Sequence, residues 1–275
     1  MKLVYLGTPA VAVPPLRALV EAGHEVVLVV TRQDKRRGRG SSTSPSPVKA
    51  AALDLGLNVS HVADDVLSAV ATGGAELGVV VAFGQIIKPH VLEVIPMVNL
   101  HFWLLPRWRG AAPVERALLA GDHATGVCVM QLEEELDTGG VYARQEVTIG
   151  PEATATELRE TLVDVGTRML VDTLSAPLAH WVDKAEPQAG EVTYAAKFGQ
   201  GDYEIDWSMS PEDVHRLIRV GGAWTTFRGN RLKIIEAHLV DGTLVPITVQ
   251  PAGKRAMSFE SWRNGAQPAS NELFS

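Results

Sequence analysis

Several features that define common classes of protein are scarce or absent in this sequence of 275 residues. The single cysteine, Cys128, excludes a disulfide bond within the chain, and the eight histidines form neither an HExxH motif nor a cluster with cysteine. No apolar run is long enough to span a bilayer, and the first residues lack the apolar core of a secretory signal. We therefore expect a cytoplasmic protein with no metal site and no membrane-spanning segment.

Positive charge and clustered glycines are also scarce. The formal net charge of −7 excludes a strongly basic field over the whole protein, so any contact with nucleic acid must depend on a local patch. The first predicted turn from strand to helix, Gly7-Thr8-Pro9, lacks the G-x-G-x-x-G pattern that lets a backbone approach a dinucleotide. A nicotinamide or flavin dinucleotide is therefore not implied.

Continuous apolar runs alternate with stretches of helical periodicity along most of the chain, which predicts an α/β fold with a Rossmann-like, mostly parallel twisted sheet. The predicted strands are residues 2–6, 26–30, 77–82, 98–101, 127–132 and 141–149. Weak periodicity after residue 183 leads us to expect a large domain over 1–183, a linker over 184–205 and a small β-rich domain over 206–275. In that last domain, a helix capped by Ser210 and a pairing of 224–227 with 232–237 are predicted.

A polar pair, Asn99 and His101, stands at the end of the predicted strand 98–101. Side chains alternate along a strand, so both point to one side, and ligands bind at the carboxyl ends of strands in open α/β sheets. One asparagine and one histidine converging there can stabilise an oxyanion and move a proton. The alternative, a hydrogen-bonded core histidine beside a strand-ending asparagine, stays open at this point.

A basic segment from Arg32 to Gly40 carries five basic residues and one acid, and serines and prolines follow it up to Lys49. A charge run of this kind is more often a solvated loop than a binding element. Its cations could equally contact a polyanion such as RNA.

Further motifs occur along nearly the whole chain. They are Leu6-Gly7-Thr8-Pro9, Gly38-Arg39-Gly40, Val81-Ala82-Phe83-Gly84-Gln85-Ile86, the segment 104–113, Leu136-Asp137-Thr138-Gly139, Ile205-Asp206-Trp207-Ser208 and the segment 250–258. Together with Asn99 and His101 they resemble the methionyl-tRNA formyltransferase family. Asn-x-His with a later Leu-Asp-Thr-Gly is typical of formyl transfer in general, whereas residues 106–113, the basic segment and 250–258 are typical of the tRNA branch.

The resemblance implies a formyltransferase catalytic domain followed by an OB-like tRNA-binding domain. It implies 10-formyltetrahydrofolate as donor and initiator methionyl-tRNA as acceptor in translation initiation, and we expect a monomer. Asn99 would stabilise the oxyanion, His101 would assist it or handle the amine proton, and Asp137 would fix the imidazole, although Asp137 could instead be only a turn residue. The folate would lie against Phe83, Gly84, Gln85 and Ile86, and the tRNA against Arg36, Arg37, Arg39 and Lys49.

Three features depart from the family pattern. Phe102 and Trp103 stand after His101 where the family has a small residue and then serine, and Gly140 stands where it has aspartate. If the strand continues past His101, Trp103 shares the side of His101, and we predict that its indole lines the substrate pocket. The last domain is also shortened, and two or three strands cannot close a barrel.

Two other functions remain open on the sequence alone. One is N-formylation of an amino-sugar nucleotide, which the shortened last domain leaves possible. The other is an RNA-binding or regulatory relic of the fold without turnover, which Trp103 and Gly140 leave possible.

Overall fold

The computed structural model describes residues 1–36, 43–269, 272 and 274, so the predicted tRNA contacts Arg37 and Arg39 lie outside the described residues. By its internal contacts the chain forms two compact units. The first consists of Met1–Gly110, Thr125–Thr148 and Glu160–Tyr194, and the second of Ala111–Ala124, Ile149–Arg159 and Ala195–Ser275. Residues 184–194 of the predicted linker therefore belong to the first unit.

The helices and strands follow the predicted alternation. The helices are α1 (Val13–Glu21), α2 (Pro47–Asp54), α3 (Asp65–Ala71), α4 (Pro89–Leu92), α5 (Pro113–Ala120), α6 (Ala155–Leu174), α7 (Pro211–Val220) and α8 (Phe259–Ala266). The strands are β1 (Lys2–Gly7), β2 (Glu25–Val30), β3 (Lys35–Arg36), β4 (Thr43–Ser44), β5 (Val59–Ser60), β6 (Leu77–Val81), β7 (Met97–His101), β8 (Arg109–Gly110), β9 (Ala124–Gln131), β10 (Val141–Thr148), β11 (Tyr194–Ala195), β12 (Trp224–Phe227), β13 (Asn230–Val240), β14 (Thr243–Pro251) and β15 (Met257–Ser258).

The first unit is built on a seven-stranded sheet in the order β10-β9-β7-β6-β1-β2-β5. Strands β5, β2, β1, β6 and β7 pair in parallel, and β9 pairs antiparallel to β7. The predicted Rossmann-like, mostly parallel sheet is confirmed. Because Leu3 and Tyr5 join one apolar cluster while Val4 and Leu6 join another, both faces of the central strand β1 are covered, as its continuous apolar sequence predicts.

Local sequence explains how the elements of the first unit begin. Ser46 caps α2 by accepting a hydrogen bond from the Lys49 backbone N–H at 3.0 Å, and Pro47 occupies the first helical position, as predicted. Gly7 at the end of β1 has no space for a side chain, since an added Cβ would lie 3.0 Å from the Ala12 Cβ and the Val81 carbonyl oxygen. The β1–α1 turn therefore packs directly against the end of β6.

The second unit contains an antiparallel sheet in the order β12-β13-β14-β15. The predicted pairing of β12 with β13 is confirmed, and Arg228 and Gly229 turn between them with φ of 49° and 71°, the two positive φ values of a type I′ hairpin. The short helix α8 was not predicted. Its Trp262 is 8% exposed and packs edge-on against Phe227 of β12, with ring centroids 5.0 Å apart, in an apolar cluster that also includes Val214 of α7. Helix α8 therefore covers apolar surface that a shortened barrel would leave bare. Over the described ranges, none of the helices is both long enough and apolar enough to pass through a membrane.

Candidate active site

Asn99 and His101 occupy alternate positions near the carboxyl end of the buried strand β7. Asn99 is half-buried, and the His101 side chain is only 10% exposed. Opposite them on β9 lie Met130 and Cys128. Burial raises the pKa of the Cys128 thiol, which keeps the thiol protonated and unreactive. Asn99 and His101 are therefore the side chains at this end of β7 that can donate or accept a proton or a hydrogen bond.

Asp137 meets His101 although the two are far apart in the sequence. The Asp137 Oδ1 lies 3.7 Å from the His101 Nδ1, and both side chains are about nine-tenths buried. This separation exceeds hydrogen-bond length, so the interaction between them is electrostatic. The other carboxylate oxygen, Oδ2, accepts a hydrogen bond from the Gly110 backbone N–H at 3.1 Å, which orients the carboxylate.

The electrostatic state of His101 follows from two opposed causes. Burial lowers the pKa of the imidazole, and the negative charge of Asp137 raises it by a smaller amount. The result is a neutral imidazole at neutral pH. Its Nε2 is buried and has no hydrogen-bond partner among the residues that the structure describes. A buried unsatisfied nitrogen of this kind is rare, and it is poised to accept a proton or a hydrogen bond from a bound molecule.

Sequence reasoning did not identify Gln188, which contacts the same site. Its Nε2 donates hydrogen bonds to the carbonyl oxygens of Asp137 at 2.8 Å and Gly139 at 2.9 Å. Its Oε1 accepts a hydrogen bond from the Arg109 Nη2 at 2.6 Å. No local signal marks Gln188, because it lies in a stretch without periodicity and its partners are backbone carbonyls, which are present at every position.

The predicted folate-binding segment follows β6 directly. The Phe83 side chain is 2% exposed, and its carbonyl oxygen accepts a hydrogen bond from the Thr8 hydroxyl at 3.1 Å. Gly84 has a φ of 67°, and its α-carbon faces the Arg32 guanidinium, from which an added Cβ would be 3.1 Å. Gln85 is exposed and Ile86 is 89% exposed, an unusual position for a large apolar side chain. Folate binding here stays a prediction.

Of the predicted tRNA contacts, Lys49 is described in full. Its ammonium forms an ion pair with the Asp34 carboxylate at 2.8 Å, and their side chains are 22% and 30% exposed. Lys49 therefore connects α2 to the base of the basic segment, in which Arg36 ends β3. Its role in tRNA binding stays a prediction, as do those of Arg36, Arg37 and Arg39.

The premise for placing Trp103 in the substrate pocket is wrong. Strand β7 ends at His101, and the chain bends at Phe102 and Trp103, so Trp103 does not continue the side shared by Asn99 and His101. The indole is 2% exposed, and Trp103 is among the largest fully buried side chains of the protein. Burial of so large an apolar side chain stabilises the turn after His101. The place of Trp103 in the substrate pocket stays a prediction.

At the carboxyl edge of a parallel sheet, the chain thus brings together a neutral buried imidazole, a carboxylate and an amide side chain. This set can accept a proton from an attacking amine and stabilise a developing oxyanion, and neither step requires a metal. Within the described ranges, no group of three or more His, Cys, Asp or Glu side chains could hold a metal ion.

Comparison with known proteins agrees with this chemistry. The Formyl transferase family matches residues 1–174, and the family described as Formyl transferase, C-terminal domain, matches residues 197–245. These two family matches define a formyltransferase. A methionyl-tRNA formyltransferase of Roseobacter denitrificans is 41% identical over 303 residues, covering 100% of this chain and 99% of the relative. The chain belongs to the methionyl-tRNA formyltransferase family.

Solved structures show the same fold at lower identity. Methionyl-tRNA formyltransferase from Clostridium thermocellum has a TM-score of 0.62 at 15% identity, covering 91% of this chain and 98% of that chain. An N-formyltransferase from Helicobacter canadensis, in complex with folinic acid and dTDP-3-aminofucose, has a TM-score of 0.68 at 17% identity. The match covers 87% of this chain and 88% of that chain. Fold alone therefore does not separate tRNA from sugar substrates, whereas the sequence relatives lie on the tRNA branch.

Proposed function

We propose that this protein transfers the formyl group of 10-formyltetrahydrofolate to the α-amine of methionine carried by initiator tRNA. The single observation that carries the proposal is the buried His101, whose Nε2 has no partner among the described residues and whose Nδ1 lies 3.7 Å from Asp137. A neutral imidazole in this setting can take the proton of an amine that becomes acidic on attack.

Each side chain has a defined part in the proposed reaction. As the amine nitrogen bonds to the formyl carbon, the carbonyl oxygen becomes negative, and the Asn99 amide N–H donates to it. His101 accepts the amine proton at Nε2, and the Asp137 carboxylate stabilises the resulting imidazolium across 3.7 Å. When the bond between the formyl carbon and the folate nitrogen breaks, His101 returns the proton to that nitrogen. Formyl-methionyl-tRNA and tetrahydrofolate leave, and His101 is neutral again.

Substrate placement is part of the same proposal. The exposed Ile86 is proposed to offer an apolar surface to the folate ring, and the exposed backbone of Gly84 and Gln85 to offer peptide groups to it. Cations of the segment 32–40 are proposed to contact tRNA phosphates, while Lys49 positions that segment through Asp34. We propose that the protein acts as a monomer in the cytoplasm.

The test is a formylation assay with three acceptors: charged initiator tRNA, uncharged initiator tRNA and an amino-sugar nucleotide. We expect product with the charged tRNA alone, and only when 10-formyltetrahydrofolate is present. His101→Ala should lower kcat by about 10²- to 10⁴-fold, the usual contribution of a general base, while the protein stays folded by circular dichroism. His180→Ala, which removes an exposed histidine of the same unit, is the matched control. Formylation of the sugar nucleotide in place of tRNA, or no transfer to any acceptor, would refute the proposal.

A further inference from the structure

We infer that Gln188 is a positioning residue of the candidate active site, acting through the turn that carries Asp137. Its effect on turnover rests on the proposed function, whereas its effect on the ionisation of His101 does not. Gln188 lies in a segment that the sequence alone predicts to be part of a linker, and neither family match includes it.

All polar atoms of the Gln188 amide are used within the first unit. Both N–H groups bond to the Asp137 turn, at 2.8 Å to the Asp137 carbonyl and 2.9 Å to the Gly139 carbonyl. The amide oxygen bonds to Arg109 at 2.6 Å. One side chain therefore bridges two loops of the site, the Asp137 turn and the loop that leads into the two-residue strand β8.

The Asp137 turn needs such support because of its backbone. Asp137 has a φ of 54°, in the left-handed region that few non-glycine residues adopt, so the turn depends on its surroundings to hold this conformation. Gln188 holds the backbone of this turn, while the Gly110 N–H holds the carboxylate from the other loop. Together these contacts set the 3.7 Å separation between Asp137 and His101.

The segment that carries Gln188 is brought to the turn by backbone pairing. Val141 and Glu186 exchange hydrogen bonds of 2.8 and 2.9 Å, directly after the turn. Gly140 permits this approach, because a Cβ there would lie 2.7 Å from the Ala185 Cβ and 3.2 Å from the Ala185 carbonyl carbon. The glycine that departs from the family pattern is thus explained by close packing of this segment.

The same segment holds the second loop. The Thr193 hydroxyl accepts a hydrogen bond from the Trp108 N–H at 2.9 Å, and the Thr193 carbonyl accepts one from the Arg109 N–H at 2.9 Å. Residues 185–193 therefore contact both loops that orient Asp137, and Gln188 is the point at which a side chain of this segment joins them.

The test uses Gln188→Met, which keeps the length of the side chain and removes all three hydrogen bonds. In the full-length protein, the pKa of the His101 imidazole is followed by NMR of histidine-labelled protein. If Gln188 holds Asp137 near His101, the variant loses part of the charge that raises this pKa, and the pKa falls. Gln145→Met, which changes an exposed glutamine of β10, is the matched control and should leave it unchanged. An unchanged His101 pKa in Gln188→Met would overturn the inference, whether or not the protein proves to transfer formyl groups.

A double-mutant cycle separates positioning from general stabilisation. In the wild-type background, we expect Gln188→Met to lower kcat by about tenfold to a hundredfold, the scale of a small misplacement, with KM for methionyl-tRNA changed by less than about threefold. In an Asp137→Asn background the same change should have at most about a threefold effect, because the group it positions is already lost. Equal effects in both backgrounds would show that Gln188 does not act through Asp137.

A second variant keeps the inference testable if Gln188→Met does not fold. Gly140→Ala retains every donor and acceptor but pushes the segment at Ala185 away from the turn. It should lower the His101 pKa in the same direction as Gln188→Met. A folded Gly140→Ala protein with an unchanged pKa would count against the inference.

Discussion

Replacing Asp137 by asparagine is the most direct test of how the site stabilises charge. The two side chains are nearly equal in size, asparagine tolerates the left-handed backbone at this position, and its oxygen can still accept from Gly110. The substitution therefore removes one negative charge beside His101 with little change in packing. We expect it to lower kcat/KM and to move the acid limb of its pH profile to lower pH.

The size of the effect follows from the 3.7 Å between the carboxylate oxygen and the imidazole nitrogen. At this separation two unit charges attract by about 4 kcal/mol at an effective dielectric constant of 20, and by about 1 kcal/mol in a water-like medium. If the imidazolium forms in the transition state, replacing Asp137 by asparagine removes a stabilisation of the transition state that lies between these two values. The expected fall in kcat/KM is then roughly fivefold to a thousandfold. Because the two side chains are about nine-tenths buried, the upper part of this range is expected.

The direction of the pH effect has a separate basis. The charge of Asp137 raises the pKa of His101 against the larger effect of burial, so asparagine lets that pKa fall further. His101 works in its neutral form, and a lower pKa keeps it neutral in more acidic solution. The rate would be measured at saturating donor across the acid range for the wild type, Asp137→Asn and Asp137→Gly. Glycine also lacks the carboxylate and tolerates the left-handed φ, but it leaves the Gly110 N–H without its acceptor, so it should lower activity at least as much as asparagine does.

Two results would refute this reasoning. A kcat/KM of Asp137→Asn within twofold of the wild type would mean that the carboxylate does not stabilise a positive charge on His101 in the transition state. A fall in activity with an unmoved acid limb would mean that Asp137 acts as a turn residue alone.

Two further predictions concern the charges of other regions. Changing Lys35, Arg36, Arg37 and Arg39 to glutamine should weaken tRNA binding and flatten the slope of log K against log salt by roughly 0.7–0.9 for each phosphate that is no longer neutralised, measured by titration at several salt concentrations; an unchanged slope would show that the segment is only solvated. In the second unit, burial lowers the pKa of His215, and this effect outweighs the negative charge of Glu152, 3.4 Å away, which raises the pKa. The positive charges of Arg219 and His238 lower this pKa further, and the hydrogen bond to the Ala237 carbonyl raises it. The unfolded chain then binds more protons than the folded protein. The contribution of His215 to the free energy of unfolding is therefore fully present above the ordinary histidine pKa, and it is lost as the pH drops towards the lower pKa of the folded state. His215→Gln should flatten this dependence in urea unfolding at several pH values, and an unaltered slope would contradict the assignment.

The order of the elements and the strand that carries the site follow from the amino-acid sequence alone. Short apolar runs without polar interruption are typical of parallel strands that are buried on both faces. The alternation of side chains along a strand then places Asn99 and His101 on one side of β7 without any knowledge of the remaining fold. The hairpin of β12 and β13 was predictable for a similar reason, because Gly229 lies between two stretches of strand-forming residues. The resemblance of the sequence motifs to those of formyltransferases then linked Asp137 to His101. Hydrophobic periodicity could not make this link, because it says nothing about which distant residues meet.

The surroundings of these residues depend on tertiary packing. The bend after His101 depends on how the following loop packs, so Trp103 turned inwards although an extended chain would have brought it to the site. The support from Gln188 depends on hydrogen bonds to backbone carbonyls. Every residue has such a carbonyl, so the sequence does not show which ones accept a hydrogen bond from Gln188. Burial of His101 has the same origin. The polarity of a residue follows from its identity, but its pKa is set by neighbours that only the folded chain brings within a few ångströms.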